Sequence, residues 1–173
     1  MRPSFVFRLV AASLILATGG CASAARTPPT VAAVVDGDTI VVDFGSHDET
    51  VRLLGLDTPE SVDPNRPEQC FGAEATTRLR ELLPVGSRVR LEVDLEARDR
   101  YGRLLAYVFA DERMVNETLL AEGYGALSIY EPNSTYRPRL TAAERRARTR
   151  LAGLWSACGG PDEPVDPPWP AAA

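Results

Sequence analysis

The run Arg52-Leu53-Leu54-Gly55-Leu56-Asp57-Thr58-Pro59-Glu60 holds one guanidinium and two carboxylates within a short stretch. A strand sends alternate side chains to opposite faces, so Arg52 and Asp57 converge only if the chain bends between them, and Gly55 is where it can. Asp57-Thr58-Pro59-Glu60 then reads as a tight turn at a strand's end, stiffened by proline. Such a turn suits a metal ligand beside a general base; an ordinary solvated turn with a capping Asp has the same residues. Asp36-Gly37-Asp38-Thr39 offers closely spaced carboxylates, the oxygen donors that hard cations take. It is not an EF-hand loop: counted from Asp36, the positions that need a ligand, a glycine and a glutamate hold Ile40, Val41 and His47. As a bare Asp-Gly pair it is also a common hairpin turn. Asp99-Arg100-Tyr101-Gly102-Arg103 adds arginine, whose planar fork matches phosphate oxygens two at a time, and a tyrosine with a ring and a hydroxyl to present. By itself it is a polar hairpin.

The elements that hold these pieces are short. Residues 30–44 read as two strand runs around Asp36-Gly37-Asp38, with Ile40, Val42 and Phe44 alternating. Residues 50–56 read as a third, reached through Gly45-Ser46-His47-Asp48. The spacing of Phe71, Ala75, Leu79 and Leu82 predicts a helix over 71–83, stopped by Pro84 and Gly86. Val89, Leu91, Val93 and Leu95 alternate along a strand over 88–96; 99–102 is a turn and 104–109 the last strand. Helices are expected from about Met114 to Gly123 and from about Pro138 to Gly153, the second with Leu140, Ala143, Ala147, Leu151 and Leu154 on its apolar stripe. Five strands and three helices give an α+β domain, best satisfied by a small closed barrel with helices packed around it.

The chain of 173 residues is 45% hydrophobic and 25% charged, the balance of one soluble domain with its own core. All 19 basic residues are arginine, a bias that GC-rich coding accounts for. Arg2 and Arg8 flank the start, Leu9 to Ala17 is apolar, and small residues follow to Ala25. That run falls well short of the roughly 20 residues that span a bilayer, so residues 1–24 read as an export signal. It is either cut after Ala24 or processed at Cys21, because Thr18-Gly19-Gly20-Cys21 resembles a bacterial lipobox with Thr18 where leucine is usual. Either route expects a secreted protein or one on the outer face of the envelope, with a lipid anchor possible at Cys21. Without Cys21, Cys70 and Cys158 remain as an even pair in an oxidising compartment, which predicts a disulfide; two buried free thiols are the alternative. Residues 159–173, with five prolines and no periodicity, read as a disordered tail, leaving 26–158 as the folded domain.

Charge and histidine narrow the chemistry. The net charge is −5, and removing Arg2 and Arg8 leaves 17 basic against 24 acidic residues, or −7. Proteins that hold nucleic acid by bulk electrostatics are basic, so any such contact here has to be local. Arg145, Arg146, Arg148 and Arg150 face away from the apolar stripe and read as a solvated helix face. His47 is the single histidine and sits in a polar turn, which excludes mechanisms built on paired histidines.

Taken in order, the three chemical segments resemble the staphylococcal nuclease (thermonuclease) family. The resemblance runs from about Val31 to Trp155 and includes Tyr101-Gly102-Arg103-Leu104-Leu105-Ala106-Tyr107, Met114-Val115-Asn116-Glu117, Tyr130-Glu131-Pro132-Asn133 and Gly153-Leu154-Trp155-Ser156. It implies a five-stranded OB-type β-barrel with three α-helices, and a Ca2+-dependent nuclease acting on DNA and RNA that leaves 3′-phosphate ends. A single-stranded substrate and a monomeric protein are expected with it. Position by position, it implies that Asp38 and Asp57 bind calcium with the carbonyl of Thr58, and that Glu60 is the general base. Arg52 and Arg103 would grip the phosphate, while Arg100, Tyr101 and Tyr130 would contact the nucleotide. The chemistry is coherent: cation and guanidiniums meet the charge that develops on phosphate oxygens, and a positioned carboxylate is typically worth about 10²–10⁴-fold. Two departures stand out. Ser128 occupies a position where family members carry a tyrosine, and Arg100 replaces a lysine. The acidic charge implies weaker non-specific retention of DNA. Two other readings use the same residues: a non-catalytic OB-type binding module, and a calcium-binding envelope protein. The presence of all five site side chains argues against the first, and the second leaves Glu60 and the two arginines without a task.

Overall fold

The computed structural model describes residues 28–61 and 69–161; the expected export signal over 1–24 with Cys21, and the expected tail over 159–173 apart from 159–161, lie outside the described residues. β1 (Thr30–Val34) and β2 (Thr39–Asp43) pair antiparallel around the Asp36-Gly37-Asp38 turn, and β2 pairs with β3 (Asp48–Leu53). Ile40, Val42, Val51 and Leu53 point into the core and are fully buried. After Leu54 the chain bends and β4 (Gly55–Asp57) leaves the sheet. Gly55 has φ +80°, and a Cβ there would lie 2.2 Å from Leu140 Cδ1, so both the bend and the packing demand glycine.

The remaining elements are α1 (Gly72–Leu82), β5 (Arg90–Glu92), β6 (Leu104–Ala110), β7 (Arg113–Met114), α2 (Val115–Glu122), β8 (Ala126–Ser128), α3 (Arg137–Thr149) and α4 (Leu154–Ala157). The main sheet runs β1-β2-β3-β6-β5, with β7 on β6; β3 and β6 are parallel, and β4 pairs separately with β8. Leu105 to Phe109 of β6 are all buried, which makes β6 the spine of the core. The buried Asn116 of α2 accepts from Val108 N–H at 2.8 Å and donates to Leu54 O at 2.8 Å, fastening the bend to β6.

The α+β class and the OB-type arrangement are as expected, but the barrel is not closed. β1 meets the segment before β5 through the single bridge Thr30–Arg88 and through Val31 N–H to Ser87 O and Val89 N–H to Pro29 O, without a ladder. An irregularity between Val31 and Ala33 breaks the register of β1. The strand expected over 88–96 is only three residues long, and Leu95 is 80% exposed. The chain is drawn away at Asp94, whose carboxylate accepts from Tyr107 Oη, Thr135 N–H and Thr135 Oγ1 at 2.9–3.1 Å. α3 ends at Thr149, short of Gly153; Leu151 has φ +50° and is exposed, not part of the apolar stripe. Leu154 is buried as expected, but from the separate α4, which starts where its N–H bonds Gly123 O. Phe71 precedes α1 and packs against Tyr124, ring centroids 5.4 Å apart.

Cys70 and Cys158 form a disulfide with Cα atoms 6.1 Å apart, joining the start of α1 to the end of α4 across 88 residues. Cross-linking a loop of that length restricts the unfolded chain by about 4–5 kcal/mol in the chain-entropy picture. Replacing both cysteines by alanine is therefore expected to lower the unfolding free energy by about that amount. Denaturant titration of the two proteins checks it; equal midpoints would remove the disulfide from the account of stability.

Candidate active site

β2 and β3 are in register at Thr39 and Arg52, which sets Arg52 beside Asp38. Arg52 Nη1 lies 3.0 Å from Asp38 Oδ2, and Nη2 donates to Asp57 Oδ1 at 2.6 Å. Nη1 also donates to Leu53 O and Leu56 O at 3.2 and 3.0 Å, because the bend curls the backbone around the guanidinium. Arg52 is only 7% exposed. Burial alone would weaken its hold on the proton, but the charges of Asp38 and Asp57 outweigh that and raise its pKa above the ordinary value.

Asp38, 5% exposed, is held from every side. Its Oδ2 accepts from Thr58 N–H and Thr58 Oγ1 at 2.9 and 3.0 Å, and Oδ1 accepts from Thr39 Oγ1 at 3.1 Å. The Thr58 turn is thus tied to a residue twenty positions earlier. Gly37 makes the approach possible: a Cβ there would lie 2.6 Å from Thr58 Oγ1. Asp36 accepts the Asp38 N–H at 3.1 Å, and burial, then the charge of Asp38, push its carboxyl up to about 6. Asp36, Asp38 and Asp57 therefore gather around one buried guanidinium, and the balance is negative. Among the described residues no three His, Cys, Asp or Glu side chains form a complete ligand set. A cation bound by Asp38 and Asp57 would complete its shell with carbonyl oxygen and water. An all-oxygen donor set with a net negative charge fits a hard cation such as calcium.

Glu60 follows the turn and is partly buried. Its N–H donates to Gln69 Oε1 at 2.7 Å, and its carbonyl accepts the Gln69 N–H at 2.9 Å. Its own Oε1 accepts the Ser61 N–H at 2.9 Å, while Ser61 Oγ and Thr76 Oγ1 are 2.8 Å apart. The sequence patterns passed over Gln69, which lies in no periodic element.

A second cluster forms around Asp99. This carboxylate accepts from the N–H groups of Tyr101 and Arg103, each at 2.9 Å, and from Arg103 Nε at 2.7 Å. Asp99, which the motif contained only as the first residue of its turn, thereby sets both the loop and the arginine. The guanidiniums of Arg100 and Arg103 lie 4.7 and 5.4 Å from the centre of the Tyr101 ring, which is 65% exposed. Parallel pairing of β3 with β6 puts Arg103 two residues before Leu105, the partner of Arg52. Tyr130 follows β8, whose pairing with β4 opposes Asp57 to Ala126 and Gly55 to Ser128; Tyr130 is near enough to bear on the charge of Arg52. Ser128 is buried in that pairing. Asp38, Arg52, Asp57 and Thr58 are thus in direct contact, Glu60 is two residues on, and Arg100, Tyr101 and Arg103 form a neighbouring group.

The other singled-out residues stand apart. The His47 ring stacks on Phe44 at 5.4 Å with Nε2 3.4 Å from Glu49. Arg146 shares Glu117 with Arg139, and Arg148 lies over Trp155 at 4.8 Å.

A family model described as Staphylococcal nuclease homologue matches residues 50–157, a span that takes in every site residue named above except those of the Asp36–Asp38 turn and Thr39. The chain is similar to a thermonuclease of Staphylococcus intermedius, 43% identical over 122 residues, covering 70% of this chain and 72% of that protein. It is similar to a thermonuclease of Staphylococcus hyicus, 40% identical over 139 residues, covering 80% and 82%. It is also similar to the endonuclease YncB of Bacillus subtilis (strain 168), 42% identical over 127 residues, covering 72% of this chain and 60% of the relative.

Proposed function

The chain belongs to the staphylococcal nuclease family and is a nuclease, and on that premise we propose that it is a calcium-dependent enzyme cutting both DNA and RNA. The observation that carries the reading is the Asp38–Arg52–Asp57 cluster, negative in balance with Asp38 and Arg52 buried, and with Glu60 three residues beyond Asp57. In this proposal Asp38, Asp57 and the Thr58 carbonyl hold the ion. Calcium, when bound, supplies positive charge that offsets what develops on the phosphate oxygens.

The side chains supply the rest. Glu60 takes the proton of the attacking water at a carboxylate oxygen. Arg52 and Arg103 present N–H groups to the equatorial oxygens, where negative charge grows in the transition state. Both enter already oriented, Arg52 by two carboxylates and two carbonyls, Arg103 by Asp99. The water oxygen bonds to phosphorus as the bond from phosphorus to the 5′ oxygen breaks, and the 5′ oxygen leaves as a hydroxyl that takes its proton from solvent, with a 3′-phosphate on the other product. The Tyr101 ring, 65% exposed and set beside Arg100 and Arg103, contacts the nucleotide together with Arg100 and Tyr130; an accessible aromatic ring suits an unpaired base, which supports a preference for single strands. We further propose that the protein is a monomer working outside the cytoplasm, either released after a cut at Ala24 or held by lipid on Cys21. The disulfide supports an oxidising location.

With denatured DNA as substrate, the mature domain is expected to cleave in calcium and to stop when a chelator is added. Gel analysis of the products checks it. Undiminished cleavage in chelator would remove the metal from the proposal, and absence of any cleavage by folded protein would favour the non-catalytic readings.

A further inference from the structure

We propose that Gln69 is a positioning residue for Glu60, and that the Cys70–Cys158 disulfide fixes the backbone from which it works. The proposal rests on the reading of Glu60 as the general base. Glu60 lies on an irregular stretch, where no strand or helix ladder satisfies its backbone. Gln69 does this instead. Its Oε1 accepts the Glu60 N–H at 2.7 Å and its N–H donates to the Glu60 carbonyl at 2.9 Å, a reciprocal pair that fixes the peptide groups on both sides of Glu60 Cα. An amide side chain can complete such a pair; an apolar one of the same volume cannot.

Gln69 is in turn anchored to the body of the protein. Its carbonyl accepts the Gly72 N–H at 3.0 Å, at the first residue of α1. The backbone of α1 lies directly against the loop, since a Cβ on Gly72 would come 2.7 Å from the Glu60 carbonyl oxygen. The next residue, Cys70, is bonded to Cys158 at the end of α4. Ser61, following Glu60, reaches Thr76 on α1. The Glu60 backbone is thus gripped by a covalently tethered segment, while its carboxylate is steadied by Ser61 N–H. A base that must meet one water at one phosphorus depends on that alignment, and a displacement of about 1 Å can cost on the order of 10²-fold.

The test uses the full disulfide-bonded protein and separates kcat from KM on denatured DNA in calcium. Gln69→Met keeps the volume and removes the acceptor; kcat is expected to fall by about 10–100-fold with KM within about two-fold. Gln69→Glu restores an acceptor oxygen at the same reach and is expected to recover most of that loss. A purely structural role for Gln69 would lower the melting temperature and leave kcat alone. Glu60→Gln is run beside them. If it is inactive while Gln69→Met turns over at the wild-type rate, the positioning role is overturned. If Glu60→Gln is itself active, the base assignment is what fails. Hydrogen exchange on the unaltered protein covers a variant that does not fold: the Glu60 amide is expected to be protected, and exchange at the rate of an open loop overturns the proposal.

Discussion

Replacing Glu60 by glutamine is expected to lower the cleavage rate by about 10²–10⁴-fold, the usual contribution of one positioned base, while leaving metal and nucleotide affinity in place. The substitution is nearly isosteric and keeps the backbone contacts that hold the loop. Glu60 holds Gln69 through backbone groups that glutamine also has, and Ser61 N–H can still donate to the amide oxygen. Asp38, Arg52 and Asp57 make no use of the Glu60 carboxylate in their mutual contacts. What is lost is a group that accepts a proton from water. Single-turnover cleavage, paired with calcium and nucleotide titrations, checks it; wild-type turnover would assign the proton to another acceptor.

Arg52→Met is expected to damage the fold as well as the chemistry. The methionine fills much of the same space, but Asp38 and Asp57 lose their shared counter-charge, and Leu53 O and Leu56 O lose a donor. Asp38 is almost wholly buried, and breaking a buried pair by removing one partner costs about 3–5 kcal/mol because the other charge stays behind. Asp57 is about a third exposed, so water screens part of its share. Two further results identify the cause. Adding Asp38→Asn to the variant is expected to return part of the lost stability, since the stranded charge is gone. Calcium is expected to raise the melting temperature of Arg52→Met more than that of the unaltered protein. A drop in stability that neither treatment relieves would mean that packing, not charge, is what Arg52 supplies.

The site was legible in sequence to the extent that local chemistry and order determine it. Gly55 marked the bend that lets Arg52 meet Asp57, and the structure has the bend there with φ +80°. Asp36-Gly37-Asp38 marked a turn, yet its reach to Thr58 depends on β2–β3 register and on the space Gly37 leaves, which no local pattern encodes. Gln69 was passed over, and Asp99 was read only as the first residue of a turn, for a related reason. Each acts through hydrogen bonds to backbone, and the partner of Gln69 lies nine residues away in the sequence. Alternation misled at Val93 and Leu95, where the polar anchor at Asp94 overrides the hydrophobic pattern. It also misled at Leu151, where the chain turns back toward Gly123 before the expected stripe is complete. The elements were readable from periodicity, and their long-range fastening was not.

The parallel pairing of β3 with β6 sets a condition on timing. Arg52 and Leu105 become neighbours only after α1 and β5 have been made between them, a loop closure whose entropy must be met before its contacts reward it. Tyr130 and the Cys158 end of the disulfide come later still along the chain. A ribosome-bound fragment ending before Asp99 therefore carries Asp38, Asp57 and Glu60 without Arg103 or the Tyr101 loop. With the roles proposed above, the two arginines that would grip the phosphate are brought together only once β6 has been added to the chain.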